Sequence, residues 1–404
     1  MLTRFAIAPS GFKESLSAQS AAEAIAEGVR RVVPDAEIDL IPLVDGGEGT
    51  ARALATASGG RLVPLRATGP TGERIGTHFA LLGGDAETAV VEMAAVAGLS
   101  LVPRELRDPG ATTTYGVGEL ISAALDTGVR RILVGCGDSG TSDGGAGALQ
   151  ALGARLLDAD GRELPFGGRE LTRIDRIDAS GLDPRLSETE IRVACNPFNV
   201  LCGERGVARV FGPQKGATPA QVEQLAAGLE RWAAVLTRDL RVTADLCQGP
   251  GTGASGGLGA GLAALGARLL PRFDVLLDHL DLDERLARAD LVVTAEGALD
   301  HQTPRGKVPA EVARRAKRYD RQVLVLAGTI GEGANQVRSA GVDAYSAILP
   351  APVSLTEALG RGGEFLADAT ERALRMILIG TRLPGGPRGP QPVVSGTQRP
   401  SSVR

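Results

Sequence analysis

The fold is decided by residues 290–327, which read DLVVTAEGALDHQTPRGKVPAEVARRAKRYDRQVLVLA. The apolar run Asp290–Ala295 predicts a buried strand, Val308–Lys317 predicts an amphipathic helix, and Gln322–Ala327 predicts a second strand. Because a helical connection of this length lets two strands run in the same direction, we expect parallel pairing with a right-handed crossover. The stretch therefore predicts an α/β protein.

The same alternation of strands and helices occurs near both ends of the chain. It is seen in the predicted strands Arg4–Pro9, Glu37–Leu43 and Val342–Ile348 and in the predicted helices Ser17–Val33, Thr50–Ala57 and Gly331–Ser339. The region Leu62–Glu92 differs, because glycine turns break it into short alternating runs that predict antiparallel hairpins.

This pattern predicts two domains and a tail. We expect one discontinuous α/β domain, residues 1–60 and 286–382, interrupted by an inserted α/β domain, residues 61–285. Residues 383–404 are rich in Pro, Gly and Ser with little to bury, so they are predicted to form a disordered tail.

The composition narrows the function. A chain of 404 residues with 43% apolar and 23% charged residues is typical of a soluble protein of two domains. Aromatic residues make up 3% and the net charge is −4, so we expect neither base stacking nor a basic face, and no nucleic-acid partner. We find no signal peptide and no apolar run of the ~18–20 residues that span a bilayer, so no membrane partner is expected. The four cysteines form no C-x-x-C pair, which favours reduced thiols and a cytoplasmic location.

Lysine is rare and is found mostly in turns. The chain has four lysines against 40 arginines, and Lys13, Lys215 and Lys307 lie in turns bounded by glycine or proline. An ammonium group is a compact point charge that binds phosphate oxygens, as the P-loop lysine does. Because glycine makes up 55 of the 404 residues, the lysines alone leave phosphate binding and chance placement both open.

Four glycine-rich turns, each directly after a predicted strand, carry the candidate chemistry. Residues 9–15 precede a helix, whose first N–H groups are suited to binding an anion. Residues 45–49 place Asp45 and Glu48 three residues apart, which suits Mg²⁺ binding or proton transfer. The alternatives are an ordinary strand-to-helix turn for the first stretch and a helix cap for the second.

The third and fourth turns are richer in polar groups. Residues 135–145 contain five glycines, and their N–H groups and hydroxyls are suited to form an anion nest, with a flexible linker as the alternative. Residues 296–307 offer two carboxylates, a hydroxyl and Lys307 at a helix entrance, a set that binds metal and phosphate together. This stretch is not a P-loop, because His301 stands five residues before Gly306.

Two other patterns are discounted. Residues 251–256 match G-x-G-x-x-G, but no predicted strand precedes them, which argues against a dinucleotide site. The three histidines, His78, His279 and His301, are scattered along the chain, so a histidine-based metal site is not expected.

The turns, together with several further stretches, resemble the type I glycerate kinase family over residues 6–379. The matching stretches are Phe12–Ser17, Asp45–Gly49, Val91–Ala94, Gly118–Leu120, Asp143–Gly145, Phe211–Ala217 and Glu296–Thr303. The resemblance implies an ATP- and Mg²⁺-dependent kinase of D-glycerate that commonly forms 2-phosphoglycerate. It also implies a flavodoxin- or Rossmann-like parallel-sheet domain with a second, mixed α/β domain inserted into it.

The resemblance also implies roles for individual residues. Lys13 and Asp45 are the predicted catalytic residues, with Asp45 as the base or orienter of the attacking hydroxyl. The predicted Mg²⁺ ligands are Glu296 and Asp300. The predicted substrate-binding residues are Ser10, Glu48 and Asn196. The predicted nucleotide- and phosphate-binding residues are Ser139, Thr141, Asp143, Gly144, Gly145, Lys215, Thr303 and Lys307.

The chain departs from the family pattern at acidic positions. Ser10-Gly11 stands where Asp-Ser is usual, and Asn196 stands where aspartate is usual. Asparagine keeps the shape of aspartate but loses a base and a metal-binding charge. Another small hydroxy acid as the acceptor therefore stays open, as does a non-catalytic metabolite-binding relative. A nicotinamide-dependent oxidoreductase is disfavoured, because residues 10–13 are not a glycine fingerprint.

Overall fold

The computed structural model describes residues 3–12, 15–84, 87–277 and 280–382. Lys13, His279 and the predicted tail, residues 383–404, lie outside these ranges. The strands are β1 (Arg4–Ile7), β2 (Glu37–Leu40), β3 (Arg61–Thr68), β4 (Arg74–Leu81), β5 (Thr88–Glu92), β6 (Arg131–Gly135), β7 (Arg155–Leu157), β8 (Arg176–Asp178), β9 (Glu190–Cys195), β10 (Arg268–Pro271), β11 (Leu291–Leu299), β12 (Gln322–Ile330) and β13 (Ala344–Ala347).

The α-helices are α1 (Ala18–Arg30), α2 (Thr50–Ser58), α3 (Ala94–Ala97), α4 (Tyr115–Leu125), α5 (Ala146–Ala151), α6 (Val207–Phe211), α7 (Pro219–Asp239), α8 (Ala254–Ala264), α9 (Arg272–Leu276), α10 (Leu282–Ala287), α11 (Val308–Lys317), α12 (Leu355–Gly360) and α13 (Gly362–Arg382). Short 3-10 helices are formed by Leu99–Leu101, Arg104–Leu106, Gly168–Arg173, Pro184–Ser187, Pro213–Lys215, Thr303–Arg305 and Ala334–Ala340.

The first sheet is parallel and has five strands in the order β13-β12-β11-β1-β2. The parallel pairing predicted from residues 290–327 is thereby confirmed. Counted along the chain, the strand order is 2-1-3-4-5, the order of flavodoxin-like folds. Between β1 and β11 the strand order reverses: β2 was added on one side of β1, and β11, β12 and β13 were added on the other. Ligands of such sheets bind outside the carboxyl ends of the strands at this switch point.

The second sheet is mixed and has six strands in the order β10-β9-β6-β5-β4-β3. The strands from β10 to β5 are parallel, whereas β3, β4 and β5 pair antiparallel, as the pattern of residues 62–92 predicted. A separate antiparallel ribbon joins β7 to β8. Helix α2, which follows a strand of the first sheet, packs against β3, β4 and β5 of the second.

Local sequence signals account for several helix ends. Ser17 is the predicted N-cap of α1, and its hydroxyl accepts a hydrogen bond from the N–H of Ser20 at 3.0 Å. Thr218 and Gln221 form a capping box at the start of α7. The predicted helix Gly331–Ser339 is instead a 3-10 helix, which begins after Gly333 in the left-handed conformation.

One apolar cluster contains side chains of both sheets. Ala6 and Val292 of the first sheet belong to the same buried cluster as Leu133 and Ala194 of the second. Burial of shared apolar surface therefore holds the sheets side by side. All four cysteines carry free thiols, and none of the helices in the described ranges is long and apolar enough to cross a membrane.

Candidate functional site

The loops at the carboxyl ends of the two sheets meet at a seam. Gly46, in the turn that follows β2, lies so close to the second sheet that an added Cβ would be 3.1 Å from the backbone nitrogen of Cys136 and 3.5 Å from the carbonyl oxygen of Ala194. Gly46 also has a φ of 91°, which favours glycine. The Asp138 carboxylate, beyond β6, accepts a hydrogen bond from the N–H of Glu48 at 3.3 Å. The turn at residues 45–49 is thus held against the ends of β6 and β9.

The carboxyl end of β11 carries a compact ionic group. The Lys307 ammonium lies 3.4 Å from Oε1 of Glu296 and 3.3 Å from Oδ1 of Asp300, and it donates to the carbonyl of Ala298 at 3.1 Å. The backbone orients the Asp300 carboxylate, whose Oδ1 accepts from the N–H of Gln302 at 2.8 Å. Residues 296–307 therefore bring together the two carboxylates and the ammonium that the sequence placed there.

The Glu296 carboxyl has a shifted pKa. Burial raises the pKa of its carboxyl to about 7, and the nearby Asp45 and Asp300 carboxylates add to the rise, whereas the Lys307 ammonium opposes it. Its Oε2 atom is buried and accepts no hydrogen bond from any described residue. Because buried carboxylate oxygens are normally satisfied, this atom is suited to a ligand from outside the chain.

Arg272, the first residue of α9, crosses the seam. Its Nη1 donates to Oδ2 of Asp45 at 3.0 Å, and its Nη2 donates to the carbonyl of Gly306 at 2.6 Å. The Arg272 side chain is 14% exposed. One guanidinium thus joins the turn that carries Asp45 to the turn that carries Lys307.

A second ammonium, that of Lys215, is buried against the loop that follows β6. Lys215 is 2% exposed, and its ammonium donates to Oγ of Ser139 at 2.8 Å and to the carbonyl of Thr141 at 2.6 Å. The glycine-bounded turn at residues 213–216 and the loop after β6 were both predicted to bind phosphate. The structure brings them together, although they are far apart in the sequence.

Asp143 makes internal contacts that the sequence did not predict. Its fully buried carboxylate accepts hydrogen bonds from the N–H and hydroxyl of Thr114, both at 2.8 Å, and from the N–H groups of Gly145 and Gly147, both at 3.2 Å. Burial raises the pKa of this carboxyl, and the four donors oppose that rise. Asp143 joins the first turns of α4 and α5, and contact with a ligand stays a prediction.

Gly144 and Gly145 also have a packing role. Gly144 has a φ of 66°, and an added Cβ would lie 2.5 Å from Cδ1 of Trp232. The indole N–H of Trp232 donates to the Gly144 carbonyl at 2.9 Å. Gly145 has a φ of 81° and approaches the backbone of Leu258 in α8. Phosphate binding by these glycines stays a prediction, because their glycine identity is already explained by packing.

Two of the three predicted substrate-binding residues, Ser10 and Asn196, lie beside residues that neighbour the ionic group. The Ser10 hydroxyl donates to the carbonyl of Ala295 at the switch point. The Glu48 side chain is exposed on the turn after β2. Asn196 follows β9, and its Oδ1 accepts from the N–H of Phe198 at 3.0 Å and lies 3.9 Å from the position of a Cβ added at Gly306. Thr303 is fully buried, and its Oγ1 accepts from the N–H of Asp300 at 3.1 Å.

Glu92 and Arg272 were given no role by the sequence reasoning. The Glu92 carboxylate accepts from the N–H groups of Gly49 at 3.0 Å and Ala51 at 2.9 Å, and so caps α2 from the end of β5. Burial raises the pKa of this carboxyl to about 7, the two N–H donors oppose the rise, and the Glu48 and Asp138 carboxylates add to it. Glu92 lies in a family-matching stretch, whereas Arg272 is set apart in the sequence only by following a short apolar run.

Glu296 and Asp300 fit a magnesium ion that takes its remaining ligands from outside the described chain. Across the described ranges, no group of three or more His, Cys, Asp or Glu side chains is arranged to hold a metal. Glu296 and Asp300 supply two carboxylates, and Oε2 of Glu296 lacks a partner from the chain. Mg²⁺ in kinases commonly takes one or two carboxylates and completes its coordination with water and substrate phosphates.

The parallel sheet and the charged groups at its carboxyl end are typical of an α/β phosphotransferase. The turn after β11 carries paired carboxylates and the Lys307 ammonium, and the Lys215 ammonium contacts the loop after β6. Groups of these kinds neutralise phosphate charge and hold magnesium in phosphotransferases.

Comparison with known proteins gives the family. The model of the glycerate kinase family matches residues 5–378. The chain is 43% identical over 383 residues to glycerate 2-kinase of Escherichia coli K12, and the match covers 95% of this chain and 100% of the relative. It is 45% identical over 378 residues to glycerate kinase of Bacillus subtilis 168, covering 93% and 97%. A crystal structure of a Salmonella typhimurium LT2 protein, described provisionally as glycerate kinase 2, has a TM-score of 0.75 and 44% identity and covers 95% of this chain and 100% of its own.

The chain belongs to the glycerate kinase family. The family and the kinase activity that the sequence motifs predicted are thereby confirmed.

Proposed function

We propose that this protein transfers the γ-phosphoryl group of ATP to a hydroxyl of D-glycerate and forms 2-phosphoglycerate. One observation carries the proposal: Asp45, Lys307 and the carboxylates of Glu296 and Asp300 lie together at the switch point of a parallel sheet. Arg272 links Asp45 to the backbone beside Lys307, and the Asp45 charge contributes to the raised pKa of Glu296. A carboxylate that takes a proton and groups that neutralise phosphate are therefore close enough to act on one substrate.

In this mechanism, Asp45 orients the substrate hydroxyl and accepts its proton as the oxygen attacks the γ-phosphorus atom. Because such transition states are loose, positioning and charge neutralisation supply most of the rate enhancement. Lys307 holds phosphoryl oxygens, and Lys215 with Ser139 and Thr141 holds the remaining phosphates. Lys13 acts in catalysis by neutralising charge on the phosphoryl group or on the substrate carboxylate, and Ser10, Glu48 and Asn196 hold the glycerate hydroxyls.

Glu296 and Asp300 are the residues that would hold Mg²⁺. When bound, the ion neutralises charge on the phosphate oxygens. The unsatisfied Oε2 of Glu296 supports this assignment. The Lys307 ammonium, which lies between the two carboxylates, is then close enough to contact the same phosphate group.

The side chain of Asn196 favours a small hydroxy acid other than glycerate as a second candidate acceptor. The neutral Asn196 amide lies beside the turn of Gly306 and Lys307, at a position where the resemblance to the family implies aspartate. The loss of this charge alters the polarity around the acceptor, so another small hydroxy acid is the second candidate. Acceptors with a second carboxylate gain most from the change, because one repulsive charge is removed.

A coupled assay of ADP release tests the proposal. The purified chain is supplied with Mg²⁺ and ATP and with D-glycerate, L-glycerate or tartronate, and the phosphorylated carbon is identified by NMR. We expect the highest kcat/KM with D-glycerate and phosphate on the second carbon. No turnover on any hydroxy acid, with ATP binding intact, would favour a metabolite-binding protein without activity.

Two substitutions test the catalytic roles. Lys13→Ala and Asp45→Asn are each expected to lower kcat by about tenfold or more, at least about 1.4 kcal/mol in the barrier. Asp45→Asn keeps the shape and can still accept from Arg272, but it cannot take the proton. Rates near those of the unmodified chain would remove these residues from the mechanism.

We also propose a division into two domains and a cytoplasmic location. The strands of the first sheet come from both ends of the chain, which supports a discontinuous domain with the second sheet inserted. Helix α2 was assigned by sequence to the discontinuous part, but its packing on β3, β4 and β5 supports placing it with the inserted domain. Four free thiols are compatible with a reducing compartment.

A further inference from the structure

Arg272 is the side chain that joins the second sheet to two turns of the first. It follows β10 directly, and its two terminal nitrogens reach different turns. Nη1 donates to the Asp45 carbonyl at 3.3 Å and to Asp45 Oδ2 at 3.0 Å, whereas Nη2 donates to the Gly306 carbonyl at 2.6 Å. A single rigid group thus fixes the distance between the candidate base and the residue that precedes Lys307.

The chemistry of the contact requires arginine. Guanidinium is planar and presents its N–H donors in a fixed fork, so the two acceptors must keep one relative position to satisfy it. The ring of Phe273 lies 4.9 Å from the guanidinium carbon and further restricts its orientation. An ammonium group is a point charge on a flexible stem and does not impose this geometry.

The ion pair of Arg272 with Asp45 differs from an ordinary surface ion pair because Arg272 is mostly buried. Its side chain is 14% exposed, whereas that of Asp45 is 43% exposed. Its Nε atom is buried and donates to no described residue. The chain therefore keeps a largely desolvated cation at the seam, and one face of its carboxylate partner stays open to a substrate.

We infer that Arg272 is a positioning residue for phosphoryl transfer, which clasps the Asp45 turn to the Gly306–Lys307 turn across the two sheets. The inference rests on the proposed function, in which Asp45 handles the hydroxyl and Lys307 the phosphoryl oxygens. The clasp sets the spacing between these two groups. It also orients the Asp45 carboxylate through Oδ2, while Oδ1 accepts a hydrogen bond from the N–H of Gly47 at 3.3 Å.

Kinetics of Arg272→Ala and Arg272→Lys test the inference, with Arg268→Ala as the matched control. Arg268 lies on the same β10, pairs with Glu190 at 3.4 Å and is 65% exposed. Misplacement of reacting groups is expected to lower kcat of Arg272→Ala by about 100-fold, with KM for glycerate changed by less than about threefold. Arg272→Lys keeps the positive charge but lacks the planar fork of N–H donors, so its kcat is expected to be about tenfold lower than that of the unmodified chain. Arg268→Ala is expected to keep both constants.

A double-mutant cycle with Asp45→Asn tests whether Arg272 acts through Asp45. If it does, the loss from Arg272→Ala is smaller in the Asp45→Asn background than in the unmodified chain. Full additivity would contradict action through Asp45. A large rise in KM with kcat unchanged would show that Arg272 binds the substrate carboxylate, and would overturn the positioning role.

Amide hydrogen exchange tests the clasp without relying on turnover. In Arg272→Ala, the amides of residues 45–50 and 306–308 are expected to exchange faster together, whereas Arg268→Ala leaves both segments unchanged. Unchanged exchange in these segments would overturn the clasp even in an active enzyme. Coupled exchange in a chain that phosphorylates no hydroxy acid would keep the clasp and overturn the proposed function.

Discussion

The ammonium nitrogen of Lys307 lies 3.4 Å from Oε1 of Glu296, and the other carboxylate oxygen of Glu296 is buried without a hydrogen-bond donor from the described chain. One oxygen of this carboxylate is therefore paired with the protein, and the other is available to a ligand. Desolvation raises the pKa of Glu296 to about 7, so a cation that binds Oε2 would favour the ionised form.

Glu296→Gln is expected to raise the concentration of free Mg²⁺ needed for half-maximal activity by about tenfold or more, or about 1.4 kcal/mol. The amide keeps the shape but removes the charge that attracts the ion. ADP release at saturating ATP and glycerate, measured against free Mg²⁺, gives the value. Glu284→Gln is the control, because Glu284 is 77% exposed and is expected to leave the Mg²⁺ requirement unchanged. Equal requirements in both variants would remove Glu296 from the metal site.

Lys215→Met is expected to raise KM for ATP by about tenfold, or about 1.4 kcal/mol, because it removes the buried ammonium that holds Ser139 and Thr141. It also leaves the Thr141 carbonyl without this donor, so unfolding in urea is expected to show a loss of about 1–3 kcal/mol. Lys317→Met is the control: Lys317 pairs with Asp343 at 2.7 Å on the surface. A loss of stability with KM for ATP unchanged would give Lys215 a structural role alone.

Glu92 is expected to make stability depend on pH. Its carboxyl has a pKa of about 7 in the folded protein, against an ordinary value of 4.5. The folded state therefore binds the proton more tightly than the unfolded state, so this contribution to stability is complete below pH 4.5 and is lost as the pH rises through about 7.

Denaturant unfolding of Glu92→Gln, measured from pH 4.5 to 8, checks this sign. The stability of the unmodified chain relative to Glu92→Gln is expected to fall over this range by on the order of 2–3 kcal/mol. In the control, the difference in stability between the unmodified chain and Glu284→Gln is expected to stay the same over this pH range. A difference that is constant for Glu92→Gln as well would show that Glu92 does not titrate in this window.

Gly144→Ala and Gly59→Ala form a matched pair. Both glycines have a positive φ, 66° and 68°, but an added Cβ at Gly144 meets Trp232 at 2.5 Å, whereas Gly59 has nothing within 4 Å. Gly59→Ala is expected to cost about 1 kcal/mol from backbone strain, and Gly144→Ala about 3 kcal/mol or more because overpacking adds to the strain. Urea unfolding followed by the fluorescence of Trp232, the only tryptophan of the chain, gives both values. Similar losses would show that packing against Trp232 is not a constraint.

Strands and helices with strong periodicity were predicted from sequence because their signals are local. The run at residues 290–295 and the cap at Ser17 lie where the sequence placed them. The helix predicted at residues 331–339 is a 3-10 helix, and neither β10 nor the role of Arg272 was predicted. Strand β10 has only four residues, and its partner, β9, lies more than 70 residues earlier in the chain, so the local sequence gives little indication of either.

The α/β class, the parallel sheet and the turns that hold the candidate chemistry are specified by local sequence, because apolar periodicity and glycine turns act over a few residues. Which turns meet depends instead on the packing of the whole chain. Pairing of Lys215 with Ser139, of Arg272 with Asp45 and of Glu92 with Ala51 depends on packing two sheets at one seam. The tertiary structure also decided that Asp143 and Gly144 are buried among internal partners. Burial and long-range hydrogen bonding depend on the whole fold, and no local pattern of residues specifies them.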